Sequence, residues 1–228
     1  MDGIINVDKP PGVSSARVVG RIKRLLPRGV KIGHAGTLDP FATGVLLLLV
    51  GKATKCCEQL MDAPKQYETV IRMGATTETD DPDSPPVTWQ PVGGGAILAP
   101  SRDSVESTLK SLTGPIMQRP PIYSALKIGG RRAYELARKG QEVPLRPRLV
   151  NIHGIELIDY SWPMMRLRID CGRGTYIRAI ARDLGQQLDV GGHLAELRRT
   201  AVGRFRVEDA AEPKDIEAQG IGPHLKQL

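Results

Sequence analysis

One carboxylate in this chain is placed to do chemistry. Asp39 lies in the stretch Gly33-His34-Ala35-Gly36-Thr37-Leu38-Asp39-Pro40-Phe41-Ala42-Thr43-Gly44, a tight loop flanked by glycines. An unbroken apolar run, Val45-Leu46-Leu47-Leu48-Leu49-Val50, follows at once. A run of that length between glycines reads as a buried strand. The acid then sits at the edge of a core, on a backbone with little freedom, where a reactive carboxylate is expected. Asp-Pro is also a common turn pair, so spacing alone leaves both readings open.

Charge points to what such a carboxylate would meet. Lys plus Arg number 32 against 25 Asp plus Glu, a net charge of +7. Between Gln118 and Arg148 the basic residues are Arg119, Lys127, Arg131, Arg132, Arg138, Lys139, Arg146 and Arg148, against only Glu135 and Glu142. From Met165 to Arg206 every basic residue is an arginine, apart from the neutral His193. Arginine offers a planar fork of donors that suits phosphate oxygens. A single basic stripe is ordinarily a solvated surface, but two of one sign favour a face for nucleic acid.

The 228 residues suffice for one large domain, or a domain with an appendage, and for a real core. No stretch approaches the roughly 20 apolar residues of a membrane span, and the N-terminus lacks the pattern of a signal peptide. Cys56, Cys57 and Cys171 are odd in number and two are adjacent, which suits neither a disulfide framework nor a zinc site. They read as small buried thiols in a reducing cytosol.

The positioning elements follow from periodicity and punctuation. Gly3 to Val7 reads as a strand, broken by Lys9-Pro10-Pro11-Gly12. Ser14 or Ser15 caps a helix with Val18, Ile22, Leu25 and Leu26 at helical spacing, ended by Pro27. Ala53 to Met61 reads as a helix with Cys56, Cys57, Leu60 and Met61 inward, and Tyr67 to Met73 as a strand. Residues 76–100 read as loop, and its acids Glu78, Asp80, Asp81 and Asp83 miss the calcium-loop spacing, so they read as solvated. Ser101 to Leu112 is a serine-capped helix. Residues 114–147 form a long basic excursion with one short helix near Arg131 to Lys139. Arg148 to Tyr160 and Met164 to Cys171 pair as strands. Thr175 to Leu188 is a helix with Ile177, Ile180, Ala181, Leu184 and Leu188 inward and Arg178 and Arg182 on another face. Leu194 to Val207 gives further short strands, and the tail from Pro213 a short helix at most. Strands dominate without a regular βαβ period, which predicts a mixed α/β fold with a largely antiparallel sheet flanked by helices.

Taken together, these segments resemble a known family. His34-Ala35-Gly36-Thr37-Leu38-Asp39-Pro40 is similar to the signature of the TruB-type pseudouridine synthases. The likeness continues at Lys9-Pro10-Pro11-Gly12, Lys65-Gln66-Tyr67, Tyr123-Ser124-Ala125-Leu126-Lys127, Gly174-Thr175-Tyr176-Ile177-Arg178 and Leu197-Arg198-Arg199, six blocks in order over about residues 3–207. The resemblance implies the pseudouridine synthase fold and an isomerase acting on the T-loop uridine of tRNA conventionally numbered 55. It implies Asp39 as nucleophile, with Arg178 paired to it. Tyr67 would stack on the target base and relay a proton. Tyr176 and Leu197 would line the pocket, and His34 would occupy the gap the uridine leaves or hold it out of the loop, since the target must leave its stack. Lys9, Lys127, Arg131 and Arg132 are expected to bind the substrate RNA, and the 118–148 excursion matches the family's RNA-clamping insertion.

The resemblance also implies a catalytic domain over residues 1–211 and a short tail over 212–228. Phe41 stands where the family usually has leucine, an apolar exchange beside the nucleophile. Bacterial members usually carry a small C-terminal RNA-binding domain of the PUA type; a chain that stops at Leu228 is expected to lack it and to grip tRNA more weakly. No metal or organic cofactor is expected, because the isomerisation involves no net redox or group transfer. A cytoplasmic monomer acting on the T-stem-loop of tRNA, with no membrane and no obligate protein partner, is the expectation. Two alternatives remain open: a non-catalytic tRNA-folding chaperone, and the catalytic subunit of a guide-RNA (H/ACA-type) particle.

Overall fold

The computed structural model describes the backbone of every residue except 125, 129, 138, 142 and 228, and the side chains of all the others except Lys127, Ile128 and Arg132. In chain order the elements begin with β1 (Gly3–Lys9), α1 (Ser15–Lys23), β2 (Ile32–His34), β3 (Thr43–Val50), α2 (Cys57–Asp62) and β4 (Lys65–Met73). A small ribbon, β5 (Ala75–Thr76) and β6 (Val87–Thr88), precedes α3 (Arg102–Ser111) and β7 (Gly114–Gln118). The excursion holds β8 (Lys127–Ile128), β9 (Arg131–Arg132) and α4 (Ala133–Ala137). Then come β10 (Arg148–Ser161), β11 (Met164–Cys171), α5 (Ile177–Gln187), β12 (Gly192–Val202), β13 (Phe205–Arg206), α6 (Pro213–Gln219) and β14 (Leu225–Lys226). The mixed α/β fold with mostly antiparallel strands is as the pattern predicts.

The chain forms two compact units, one of residues 1–68 and 197–228, the other of residues 69–196. In the first, the strands lie in the order β14-β1-β3-β12, with β2 on β3 and β13 on β12. β1 and β3 are antiparallel from Gly3 opposite Val50 to Lys9 opposite Gly44. β12 runs parallel to β3, with Arg199 opposite Gly44. Every residue from Gly44 to Val50 is buried, which is why this strand carries no polar alternation: both of its faces are covered. Ile4, Val45, Leu47, Leu49, Val202 and Phe205 make one core cluster, against which Cys57, Leu60 and Met61 of α2 pack.

In the second unit the order is β4-β11-β10-β7. The alternating burial of β4 puts Tyr67, Thr69, Ile71 and Met73 inward, the parity read from the sequence. In α5 Ile177, Ile180, Ala181 and Leu184 are buried, and so is Arg178.

Several boundaries differ from the sequence reading. α1 starts as expected, with the Ser14 hydroxyl accepting from the Arg17 N–H at 3.2 Å. It stops at Lys23, and Leu25 is exposed, because two tighter turns carry the chain to Pro27. The helix expected over 53–61 splits into a 3-10 segment, Gly51–Cys56, and α2. Of the three thiols only Cys171 is buried; Cys56 and Cys57 are half-buried. Of the acids of the 76–100 loop, all expected to be solvated, Glu78 and Asp83 are exposed, but the side chains of Asp80 and Asp81 are only 13% and 4% exposed. Ion pairs with two arginines offset the cost of that burial.

Candidate active site

The first unit holds Lys9, His34, Asp39, Tyr67 and Leu197. Asp39 is half-buried, and the backbone around it is pinned from several directions. The Ser15 hydroxyl accepts from the Leu38 N–H at 2.9 Å and donates to the Leu38 carbonyl at 3.0 Å, bracketing the residue before the acid. The Pro40 carbonyl, just after the acid, accepts from the Gly12 N–H at 2.9 Å and the Lys9 ammonium at 3.0 Å. The buried guanidinium of Arg199 donates to the carbonyls of Gly36 at 3.2 Å and Val45 at 2.7 Å, joining the loop to β3. The loop therefore presents its carboxylate with most of its ordering entropy already lost on folding.

Lys9 corrects the expectation that it contacts the substrate. It has no exposed surface, and its ammonium donates to the carbonyls of Pro10 at 2.9 Å, Val13 at 2.8 Å and Pro40 at 3.0 Å. With all three N–H bonds spent, no donor remains for a phosphate. Burial pulls its pKa down from 10.5 to about 8, with the Asp39 charge opposing the shift and Arg199 reinforcing it. Its place is beneath the loop. Tyr67 and Leu197 are buried at 8% and 7% exposure, and His34 ends β2, half-buried.

The second unit holds Tyr176 and Arg178, with Lys127, Arg131 and Arg132 in the excursion. Arg178, one residue into α5, donates to the Thr79 carbonyl at 2.9 Å, to Asp81 Oδ2 at 3.1 Å and to the Tyr123 carbonyl at 2.8 Å. One turn on, Arg182 donates to Asp80 Oδ2 at 3.1 Å and to the Arg119 carbonyl at 2.7 Å. Burial raises the Asp80 pKa, while Arg182 and Arg178 hold it down in part. Tyr176 is half-buried at the N-terminus of α5. Arg131 is exposed on β9. The side chains of Lys127 and Arg132, and all of Arg138 and Glu142, lie outside the described residues.

Sequence reasoning missed Ser15, Arg199, Asp81 and Gln118. Only the acids left a signal: Asp80-Asp81 is an adjacent acidic pair that matches two arginines one helical turn apart. Among the described residues no group of three or more His, Cys, Asp or Glu side chains could hold a metal ion, and no helix is long and apolar enough to cross a membrane.

Residues 23–177 match the family described as TruB family pseudouridylate synthase (N terminal domain), and residues 178–221 match the tRNA pseudouridylate synthase B C-terminal domain. The chain belongs to the TruB family. The tRNA pseudouridine synthase B of Aromatoleum aromaticum is 44% identical over 218 residues, 96% of this chain and 68% of that protein. The protein of that name in Bacteroides fragilis is 43% identical over 215 residues, 92% of this chain and 90% of its own length. Among solved structures, a chain of a Cbf5-Nop10-Gar1 complex superposes with a TM-score of 0.70 at 31% identity, over 97% of this chain and 57% of that one. A chain of an H/ACA RNP bound to a substrate RNA containing 2'-deoxyuridine superposes with a TM-score of 0.68 at 28% identity, over 97% and 56%. The chain thus spans little more than half the length of these solved chains. As a TruB family member the chain is a pseudouridine synthase, an isomerase.

Proposed function

We propose that this TruB family chain converts a uridine in the T-loop of tRNA, at the position conventionally numbered 55, to pseudouridine, with Asp39 as nucleophile. In the reaction the bond from N1 of the base to C1′ breaks, the base turns, and C5 bonds to C1′. C5 loses a proton and N1 gains one, so the net change is an isomerisation. The observation that carries the reading is the pinning of the Asp39 loop by Ser15, Lys9, Gly12 and Arg199. A carboxylate that must meet one carbon of an extruded nucleoside gains from a backbone that cannot drift.

In this reading Tyr67 stacks on the base and relays the proton, Arg178 pairs with Asp39, Tyr176 and Leu197 line the pocket, and His34 keeps the target out of its stack. Arg131, with Lys127 and Arg132, contacts phosphates. The protein works as a cytoplasmic monomer without a protein partner or cofactor. The likeness to a chain of an H/ACA RNP, at a TM-score of 0.68, favours a second reading in which a guide RNA presents the substrate.

One assay separates the readings. Purified protein is incubated alone with unmodified tRNA and pseudouridine is mapped by position. Product in the T-loop supports the first reading, and product only with added guide RNA the second; binding without product describes a chaperone. Asp39→Asn should abolish turnover, by at least about a thousandfold, while tRNA binding persists. Undiminished turnover by that variant would overturn the nucleophile.

A further inference from the structure

We infer that Gln118 is a positioning residue for the Tyr176–Arg178 turn, joining the root of the basic excursion to the residues that receive the target uridine. The inference rests on the isomerase reading above. Gln118 is the last residue of β7 and 1% exposed. Its side-chain Oε1 accepts from the Tyr176 N–H at 2.9 Å, and its Nε2 donates to the Tyr176 carbonyl at 3.1 Å. The amide thus satisfies both backbone groups of one residue, as a neighbouring strand would.

The place it holds matters. Tyr176 is the N-cap of α5, and no side chain of its own caps the helix there. Its carbonyl also accepts from the Ile180 N–H at 3.3 Å, so the Gln118 amide and the first helical turn converge on one oxygen. Gln118 therefore sets where the helix begins, two residues before Arg178.

The link continues along the chain. Arg182 holds the Arg119 carbonyl at 2.7 Å, and Arg178 holds the Tyr123 carbonyl at 2.8 Å. Three ties over residues 118–123 fasten the start of the excursion to the first turns of α5. A pull on the excursion by bound RNA is then delivered to the backbone of Tyr176 and the guanidinium of Arg178. Gln118 is the neutral tie of the three, so it can be cut without leaving a buried charge unpaired.

Gln118→Met keeps the length of the side chain and removes both hydrogen bonds. It should lower the single-turnover rate of pseudouridine formation at saturating tRNA by on the order of 10- to 100-fold, with the Kd for tRNA held within about twofold. Gln118→Asn keeps a neutral amide on a side chain one methylene shorter, which cannot reach both backbone groups of Tyr176 as Gln118 does; it should fall between Gln118→Met and the wild type. A purely structural role would lower the unfolding midpoint and leave the saturated rate unchanged. A Gln118→Met rate within about twofold of the wild type, or a loss that vanishes at saturating tRNA, overturns the inference. Should Gln118→Met not fold, the same comparison is read on Gln118→Asn. A wild type that makes no pseudouridine would fail the isomerase reading; an active wild type beside an unaffected variant fails only this inference.

Discussion

Arg178 and Asp81 form an ion pair of 3.1 Å in which each side chain is only 4% exposed. Asp81 is held in turn: its Oδ1 accepts from the Thr79 hydroxyl at 2.5 Å and the Asp83 N–H at 3.0 Å. An arginine buried to this depth is stable only if its charge is matched. Asp81→Ala removes the carboxylate of the pair and leaves the carbonyls of Thr79 and Tyr123 in place. Loss of one partner of a buried pair costs about 3–5 kcal/mol, so urea unfolding of Asp81→Ala should fall by that order, and Asp81→Asn, which keeps an acceptor, by less. A loss below about 1 kcal/mol, the worth of a surface pair, would show that the pair does not hold this helix.

Gly44 should tolerate no side chain. Its φ is +100°, and a Cβ there would lie 2.2 Å from the Arg199 carbonyl oxygen and 2.8 Å from the Arg199 nitrogen. Those atoms are backbone of β12, which runs beside β3 at this point. Gly44→Ala must therefore either push β3 and β12 apart or shift Arg199, which pins the Asp39 loop. We expect a loss on the order of 4 kcal/mol or more, read as a lower urea midpoint, together with lost pseudouridine formation. Gly12→Ala is the control: its φ is +76° but nothing lies within 4 Å of the added carbon, so its cost should be backbone strain alone, about 1–2 kcal/mol.

The sequence made the strands and helices around the site legible because they rest on local signals. The unbroken apolar run of β3, the serines at the starts of α1 and α3, and the alternation of β4 each depend on residues close in the chain. The solvated reading of Asp80 and Asp81 failed for the opposite reason. Those acids look like loop residues until arginines about a hundred positions away are brought to them by folding. Lys9 misled in a related way: the resemblance put it on the RNA, and only the folded chain surrounds it with three carbonyls. Gln118 gave no signal, since a glutamine that pairs with a backbone leaves no pattern in its neighbours.

Arg131 should contribute affinity without selectivity. It is exposed in the excursion, and a contact to one phosphate is sensitive to salt and indifferent to sequence. Arg131→Ala should weaken binding of modified and unmodified tRNA alike. It should also flatten the slope of log K against log salt by about 0.7–0.9, measured by filter binding over a salt series. An unchanged slope would remove Arg131 from the RNA face.

The buried ammonium of Lys9 should make stability depend on pH above neutrality. Its pKa is 10.5 in the free side chain and about 8 in the folded chain, burial being the larger cause. Below about pH 8 the lysine is charged in both states, and the folded state carries the full cost of burying that charge. Between about 8 and 10.5 the folded form gives up its proton first, so the unfolded form binds more protons and stability rises with pH. At about 1.4 kcal/mol per pH unit the gain reaches at most about 3 kcal/mol by the top of that window. Lys9→Met has no proton to lose. The difference in unfolding free energy between wild type and Lys9→Met should therefore grow in favour of the wild type from pH 7.5 to pH 10. Because the Asp39 charge raises the Lys9 pKa, Asp39→Asn should move the rise to lower pH. A difference that stays flat across the series would mean that the ammonium keeps its proton throughout, held by its three carbonyls.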